Sequence, residues 1–266
     1  MAVLAFIGFG EVGQTFAKGL SGNGGLAAYD LLFDHPQKQG ELIARAETLG
    51  VRVAADAADA SRGARVVISA VTAAAAGDVA SAAARYLRPG QIFFDINSAS
   101  PRTKLTGAKN IEAAGAEFVE GAVMGAVAGP GLKVPILAGG RAAEAAAEIL
   151  NGLGMNLTPV AIEIGRASAT KLARSIVMKG LEAALLQSAA AARRWDVEAE
   201  VIASLEKTYP GIDWRKAIAH AGERVGRHGV RRAEEMREAG AMLDDLGLDP
   251  SFCQAVAAVQ ERGAKR

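Results

Sequence analysis

The chain has 266 residues, half of them hydrophobic, which is enough to bury the cores of one large and one smaller domain. Its 30 basic and 29 acidic residues give a net charge of +1, which supports neither a nucleic-acid nor an anionic-membrane partner, and no apolar run could span a bilayer. The single cysteine, Cys253, excludes an internal disulfide and suits the reducing cytoplasm.

The first twenty residues predict a dinucleotide-binding element. An apolar run over residues 3–7 predicts a buried strand, and residues 14–20 predict the helix that follows. The hexapeptide Gly8-Phe9-Gly10-Glu11-Val12-Gly13 lies between them and has the spacing G-x-G-x-x-G. The first glycine permits a tight turn, the second lets the backbone approach a pyrophosphate, and the third lets helix and strand pack closely. We therefore expect these six residues to bind the pyrophosphate at the helix N-terminus.

Asp30 indicates which dinucleotide is bound. It ends a second short strand, predicted at residues 26–29, and lies 22 residues after Gly8. A carboxylate at this point accepts hydrogen bonds from the adenosine ribose hydroxyls and repels a 2′-phosphate. The next residues are Leu31 and Leu32, so no arginine follows to receive such a phosphate. The sequence favours NAD, with NADP as the alternative cofactor. In a second interpretation, Asp30 caps a turn and Asp34 reaches the ribose.

Strand and helix patterns alternate through the first 160 residues and then give way to helices. Further strands are predicted at residues 51–53, 66–71, 92–95, 117–123, 134–138 and 156–160. Helices are predicted at 42–49, 101–114 and 142–150, and an alanine-rich helix follows the strand at 66–71 and ends at residue 87. This alternation predicts an α/β fold, a doubly wound and mainly parallel Rossmann-type sheet. One long helix is predicted over 167–192, and His228-Gly229 predicts a later helix end. We therefore expect a dinucleotide-binding domain at 1–162 and a smaller all-helical domain at 163–266.

Ligands bind beyond the carboxyl ends of the strands in such sheets, so the segments that follow the strands are the functional candidates. We expect Val71 and Thr72 to pass beneath the cofactor. In the polar turn at 95–101, Ser100 is assigned to the cap of the next helix, Asn97 to cofactor and substrate, and Ser98 to the substrate. The small-residue loop at 121–126 allows close approach by a ligand, and its expected substrate-binding residues are Val123, Met124 and Gly125.

The long predicted helix carries a stripe of polar residues on an otherwise apolar surface. At 100° per residue, Lys171, Arg174 and Ser175 share one face with Ser168, and Lys179 lies two turns further on. One interpretation is that the lysines reach solvent from an interdomain helix. The cluster of cations and hydroxyls favours a site for a small anionic substrate instead.

These pieces together resemble the β-hydroxyacid dehydrogenase superfamily, which includes the 3-hydroxyisobutyrate and 6-phosphogluconate dehydrogenases. The resemblance rests on the glycine motif and on residues 95–98, 121–125 and 165–171, in that order. It departs where the family has an asparagine three or four residues after its catalytic lysine, because Arg174 and Ser175 stand there, and where Met124 replaces the usual serine. Residues 174–182 and 228–233 look like those of a subgroup with its own short C-terminal domain.

The resemblance implies an oxidoreductase that transfers a hydride between a nicotinamide cofactor and a small 3-hydroxy acid, or a related hydroxy or phospho-hydroxy compound. Lys171 is then the catalytic acid/base. The alternatives are an imine reductase, which Lys171 argues against, and a non-catalytic nucleotide-binding protein. The histidines show no metal-ligand spacing, so no metal is expected. We expect a homodimer or larger assembly through the helical domain, with the apolar strip at 256–259 at the contact.

Overall fold

Eight strands form one sheet in the first part of the chain, and the computed structural model describes residues 4–264. The strands are β1 (Leu4–Ile7), β2 (Leu26–Tyr29), β3 (Val51–Val53), β4 (Val66–Ser69), β5 (Ile92–Asp95), β6 (Glu117–Val123), β7 (Ile136–Gly139) and β8 (Leu157–Ala161). Their order is β3-β2-β1-β4-β5-β6-β7-β8, and only β6 and β7 pair antiparallel. The predicted doubly wound, mainly parallel sheet is therefore confirmed. Val3, which was predicted in the first strand, lies outside the described residues.

The central strands are buried on both faces, which is why they read as unbroken apolar runs. Phe6 and Phe94 belong to the core on one face of the sheet. Ala5 and Phe93, their neighbours in sequence, belong to the core on the other face, as the alternation of side chains along a strand requires.

Helices cover both faces of this sheet. They are α1 (Glu11–Leu20), α2 (Gln39–Thr48), α3 (Ala57–Ser61), α4 (Ala73–Ala83), α5 (Pro101–Ala113) and α6 (Ala143–Gly152). The predicted cap of α5 is confirmed, because Ser100 Oγ accepts a hydrogen bond from the backbone N–H of Thr103 and Pro101 occupies the first helical position.

The rest of the chain is helical. Its helices are α7 (Arg166–Trp195), α8 (Glu198–Thr208), α9 (Trp214–Asp245) and α10 (Ser251–Ala264). The chain divides into two units, of which the first ends at Lys171 and the second begins at Leu172. Within the described residues, no helix combines the length and the apolar character that a membrane span needs.

One expectation about the helical unit is wrong, and a second is not tested. The predicted helix end at His228-Gly229 lies inside α9, which is 32 residues long. Gly229 serves close packing there, since a Cβ at this position would lie 2.2 Å from the backbone oxygen of Gln260 in α10. In the strip at 256–259, Val256 and Ala257 are buried within the chain and the next two residues are half-buried, so a subunit contact through this strip stays a prediction.

Candidate functional site

The glycine loop between β1 and α1 places its three glycines in different environments. Gly8 has a φ of +92°, and a Cβ there would lie 2.4 Å from the backbone oxygen of Ala70. A Cβ at Gly13 would lie 2.7 Å from the backbone oxygen of Gly8. At Gly10, which is exposed and precedes α1, a Cβ would meet no described atom within 4 Å. The loop thus leaves an open approach to the start of α1 only at its middle glycine, which fits a pyrophosphate.

The other residues of the motif differ in exposure. The Phe9 ring is fully buried and packs against Phe33, with the ring centroids 6.1 Å apart. Val12 is half-buried against the same core, whereas Glu11 is exposed. In the described part of the chain no side chain caps α1. A bound anion would therefore meet the backbone at the start of this helix.

Asp30 ties the end of β2 to the glycine loop. Its Oδ2 accepts a hydrogen bond of 2.7 Å from the Phe9 N–H, and its Oδ1 accepts one of 2.9 Å from the Leu32 N–H. The second bond shows that Asp30 also caps the turn at Leu31–Asp34. A carboxylate has acceptor capacity for more than two donors, so these bonds leave room for ribose hydroxyls.

Further carboxylates surround Tyr29 at this end of β2. The Tyr29 hydroxyl donates a 2.7 Å hydrogen bond to Asp34. That bond, partial burial and the negative charges of Asp34, Asp56 and Asp30 raise the pKa of Tyr29 to about 12. Asp34 is thus engaged by Tyr29, and the electrostatic environment here is negative.

A buried polar cluster joins the carboxyl ends of β4 and β5, and we call it the edge network. Its members are Ser69, Asp95, Asn97 and Lys104, all of them buried. Asn97 Nδ2 donates to Ser69 Oγ (2.9 Å) and to Asp95 Oδ1 (2.6 Å), and Asn97 Oδ1 accepts from the Val71 N–H (2.7 Å). Lys104 Nζ forms an ion pair of 2.9 Å with Asp95 Oδ1. The predicted cofactor residue Val71 is therefore held directly by Asn97. Thr72, the next predicted residue, is exposed just before α4.

Ser98 and Lys171 meet at the same edge of the sheet. Lys171 Nζ donates a 2.5 Å hydrogen bond to Ser98 Oγ across 73 residues of sequence. Both side chains are half-buried, so a small molecule can reach them. Because the ammonium is the donor, the hydroxyl hydrogen of Ser98 remains free to point toward a ligand.

Glu120 on β6 caps the helix that carries Lys171. Its carboxylate is fully buried and accepts three backbone hydrogen bonds from the start of α7: Gly165 N–H (2.7 Å), Ala167 N–H (3.0 Å) and Ser168 N–H (3.2 Å). A negative charge is stabilised at a helix N-terminus. Gly139 on the paired strand makes room for it, since a Cβ there would lie 2.7 Å from Glu120 Oε1.

The end of β6 is closely packed, and the loop that follows it becomes exposed. A Cβ at Gly121 would lie within 3 Å of Phe94 and Ile96 side-chain atoms. Val123, the last residue of β6, and Met124, which follows it, are predicted substrate residues and are half-buried, whereas Gly125 is exposed. The contact of these three residues with a substrate stays a prediction.

The predicted substrate residues of the helical unit have different surroundings. Arg174 is exposed on α7. Ser175 is buried and accepts a 3.1 Å hydrogen bond from Lys179 Nζ, which also forms a 2.6 Å ion pair with Glu235 on α9. Burial lowers the pKa of Lys179, and the charge of Glu235 opposes this effect. Lys179 is thus neutralised within its own unit, and the substrate roles of these residues stay predictions.

Sequence reasoning missed three charged residues of the first unit: Asp95 as an anchor, Lys104 and Glu120. A pattern was available for Lys104, because it shares its helical face with the buried Ala108 and Ile111 at spacings of four and seven residues. Glu120 likewise stands alone as a charge within the buried part of a strand. An isolated charge in a buried pattern signals a partner elsewhere in the fold.

Comparisons with known proteins agree with this architecture. The family model described as the NAD binding domain of 6-phosphogluconate dehydrogenase matches residues 3–162, and a domain of unknown function, DUF1932, matches residues 192–263. A conserved hypothetical protein from Sinorhizobium meliloti is 42% identical, with a TM-score of 0.82 over 100% of this chain and 89% of that chain.

Two further solved structures are a protein of unknown function that resembles dehydrogenases and a protein that is itself named a dehydrogenase. Conserved protein MTH1747, described as structurally similar to 3-hydroxyacid dehydrogenases, is 34% identical, with a TM-score of 0.78 over 98% of this chain and 96% of that chain. The 3-hydroxyisobutyrate dehydrogenase of Mycobacterium tuberculosis shares the fold at 18% identity, with a TM-score of 0.79 over 100% of this chain and 94% of that chain. The chain therefore belongs to the β-hydroxyacid dehydrogenase-like family, with a 6-phosphogluconate dehydrogenase-type NAD binding domain and a C-terminal helical domain.

Proposed function

We propose that this protein is an NAD-dependent oxidoreductase that interconverts the hydroxyl group of a small 3-hydroxy acid, or of a related phospho-hydroxy compound, with a carbonyl group. The observation that carries the proposal is the 2.5 Å hydrogen bond between Lys171 Nζ and Ser98 Oγ. It joins a proton-carrying amine to a hydroxyl at the edge of a parallel sheet where ligands bind. The open position at Gly10 supports a bound dinucleotide at the same edge.

The nicotinamide cofactor supplies the hydride chemistry when it is bound. Lys171 handles the proton that this chemistry requires. In the oxidation direction its amine removes the proton of the substrate hydroxyl, and in the reduction direction its ammonium protonates the forming alkoxide. Ser98 fixes the position of Nζ through the short hydrogen bond. The proposed catalytic role of Lys171 thus depends on its hydrogen bond to Ser98.

Ser98 also suits the binding of the acid group. Its oxygen accepts from Lys171, so its own O–H is free to donate to a substrate carboxylate. Asn97, the other residue expected at the substrate, has its amide engaged by the edge network, and we propose that it acts by holding the backbone at Val71. The substrate carboxylate is therefore assigned to Ser98 and to the adjoining backbone.

The test is an activity panel of 3-hydroxy acids, hydroxy phosphates and cyclic imines with NAD or NADP in the matching redox state, read by the absorbance of the reduced cofactor. Lys171→Met should lower kcat by about 10²–10⁴-fold, the usual contribution of one proton-transfer group, while NAD binding is retained. Lys109→Met is the matched control, because Lys109 is an exposed lysine of the same unit, on α5. Its kcat should stay within about twofold of the wild type, as for surface changes away from a site.

Each other outcome of this panel rejects the proposal in a different way. Turnover of cyclic imines alone would identify an imine reductase. NAD binding without turnover of any substrate would indicate a nucleotide-binding protein. A Lys171→Met enzyme that keeps wild-type kcat on a 3-hydroxy acid would remove Lys171 from the chemistry and leave only the reaction type standing.

A further inference from the structure

Lys104 is a fully buried lysine, and its ammonium group contacts one residue, Asp95. Its Nζ donates 2.9 Å hydrogen bonds to both the backbone oxygen and the Oδ1 atom of Asp95. Neither side chain reaches solvent, with exposures of 0% and 2%. Removing two charges from water is unfavourable unless their geometry is tight and their other hydrogen bonds are made. The position of Asp95 is therefore fixed by a cation from α5.

Asp95 passes this constraint to Asn97. The same Oδ1 atom accepts the Asn97 backbone N–H at 3.0 Å and its side-chain Nδ2 at 2.6 Å. The Asn97 side-chain amide also donates to Ser69 Oγ at the end of β4 and accepts from the N–H of Val71, two residues after that strand. Every polar atom of this side chain is thus bonded within the protein, which rigidifies a buried network.

The edge network ends where the proposed chemistry begins. Ser98, the residue after Asn97, accepts the hydrogen bond from Lys171, and Val71 begins the segment expected beneath the cofactor. A shift of the Asn97 backbone would therefore displace the Ser98 hydroxyl and the Val71 amide together. Misplacement by about 1 Å of a group that orients reactants can lower the rate by roughly 10²-fold.

We propose that Lys104 is a positioning residue: through Asp95 and Asn97, it holds Ser98 at the acid/base Lys171 and the Val71 backbone at the floor of the cofactor site. The inference rests on the proposed function for its kinetic consequence. Its structural consequence, the ordering of two backbone segments by one buried cation, can be measured without any substrate.

The first measurement is amide hydrogen exchange by NMR on the full chain. In Lys104→Met, the Val71 and Asn97 amides should exchange at least about tenfold faster relative to amides of the sheet core, because local opening becomes easier. Ile111→Ala is the matched control, since Ile111 is fully buried on the same helix but outside the edge network. In Ile111→Ala, the exchange rates of the Val71 and Asn97 amides relative to amides of the sheet core should change less than about twofold. Unchanged ratios in Lys104→Met, or equal changes in both variants, would overturn the proposal.

The second measurement is a kinetic double-mutant cycle with Asn97→Ala. Lys104→Met alone should lower kcat by about 10–100-fold, and Ile111→Ala should leave it within about twofold. In the Asn97→Ala background, Lys104→Met should cause little further loss, because both changes break one chain of contacts. If the kcat losses of Lys104→Met and Asn97→Ala multiply in the double variant, the two residues act independently. Lys104 is then only a structural ion-pair partner of Asp95, and the proposal is overturned. If no substrate is turned over by the wild type, the proposed function fails and the exchange experiment alone decides the role of Lys104.

A further variant covers the case in which Lys104→Met does not fold. The double substitution Asp95→Asn with Lys104→Met leaves no buried charge in the edge network. The new side-chain oxygen at position 95 can still accept hydrogen bonds from Asn97, but it is uncharged. These bonds should therefore weaken, since charge-assisted hydrogen bonds are roughly twice as strong as neutral ones. The Val71 amide should still exchange faster than in Ile111→Ala, and wild-type exchange in this variant would overturn the proposal.

Discussion

Glu120→Gln tests how strongly a buried carboxylate holds the start of α7. The wild-type side chain accepts three backbone N–H groups, of which two share Oε1 and one uses Oε2. An amide of the same shape keeps one acceptor oxygen for Gly165 and Ala167. Its NH₂ group then faces the Ser168 N–H, so a donor meets a donor. The substitution changes the charge and one acceptor while it leaves the packing volume almost unchanged.

The expected loss of stability follows from these contacts. A buried N–H that loses its acceptor costs about 1–3 kcal/mol, and the two remaining bonds weaken because they no longer go to a charged group. Loss of the favourable interaction with the helix dipole removes up to about 2 kcal/mol in a buried geometry. These contributions overlap, so the free energy of unfolding should fall by about 3–5 kcal/mol in total.

Thermal and urea unfolding of the full chain measure this loss. At about 2–4 °C per kcal/mol for a domain of this size, Tm should fall by roughly 10 °C. Glu117→Gln is the control on the same strand, since Glu117 is exposed, and it should change the free energy of unfolding by no more than about 0.5 kcal/mol. If the Glu120→Gln protein has the same Tm as the Glu117→Gln control, the three hydrogen bonds of Glu120 contribute little to stability and this reasoning is refuted.

Three further changes have defined outcomes. Asp30→Ala should reduce the preference of kcat/KM for NAD over NADP, and a wild type that prefers NADP by about tenfold, or 1.4 kcal/mol, would contradict the assignment. Glu235→Gln should lower the free energy of unfolding by about 3 kcal/mol at neutral pH, because it leaves Lys179 buried without its anion. Burial already lowers the pKa of Lys179, so this loss should shrink as pH rises through that pKa and the amine becomes neutral; a loss independent of pH would refute the assignment. We propose a homodimer through exposed apolar residues of α7 such as Val177 and Leu181, so Leu181→Glu should convert it to a monomer by light scattering, and a wild-type monomer at micromolar concentration would exclude it.

Local patterns in the sequence were enough to predict those elements whose interacting residues are close together in the chain. The glycine motif, the strand before it and the cap at Ser100 are each defined within a few residues, and the structure contains them. The βαβ alternation was enough for the sheet because right-handed crossovers and buried parallel strands restrict the topology to few arrangements. Glycine was ambiguous, however, because Gly229 allows close helix packing as readily as it ends a helix.

Partners that are distant in sequence were out of reach of this reasoning. Glu120 meets the start of α7 across 45 to 48 residues, and Lys179 meets Glu235 across 56. A pattern can show that such a charge lies on a buried face, but the partner depends on which elements the fold brings together. Lys179 illustrates the consequence, because helical periodicity grouped it with Lys171 while the tertiary structure pairs it with an acid on another helix.

The three glycines of the loop meet two different requirements, one of folding and one of ligand binding. Gly8 and Gly13 are required for folding, since a methyl group at either position would clash with a backbone oxygen. Gly10 has a φ of −74°, which any residue can adopt, and free space around it. A selection for folded protein alone should therefore tolerate side chains at Gly10 and reject them at the other two positions. A bulky residue at Gly10 would yield a permanently apo form, which could serve as the blank for calorimetry and for screening compounds against the nucleotide site.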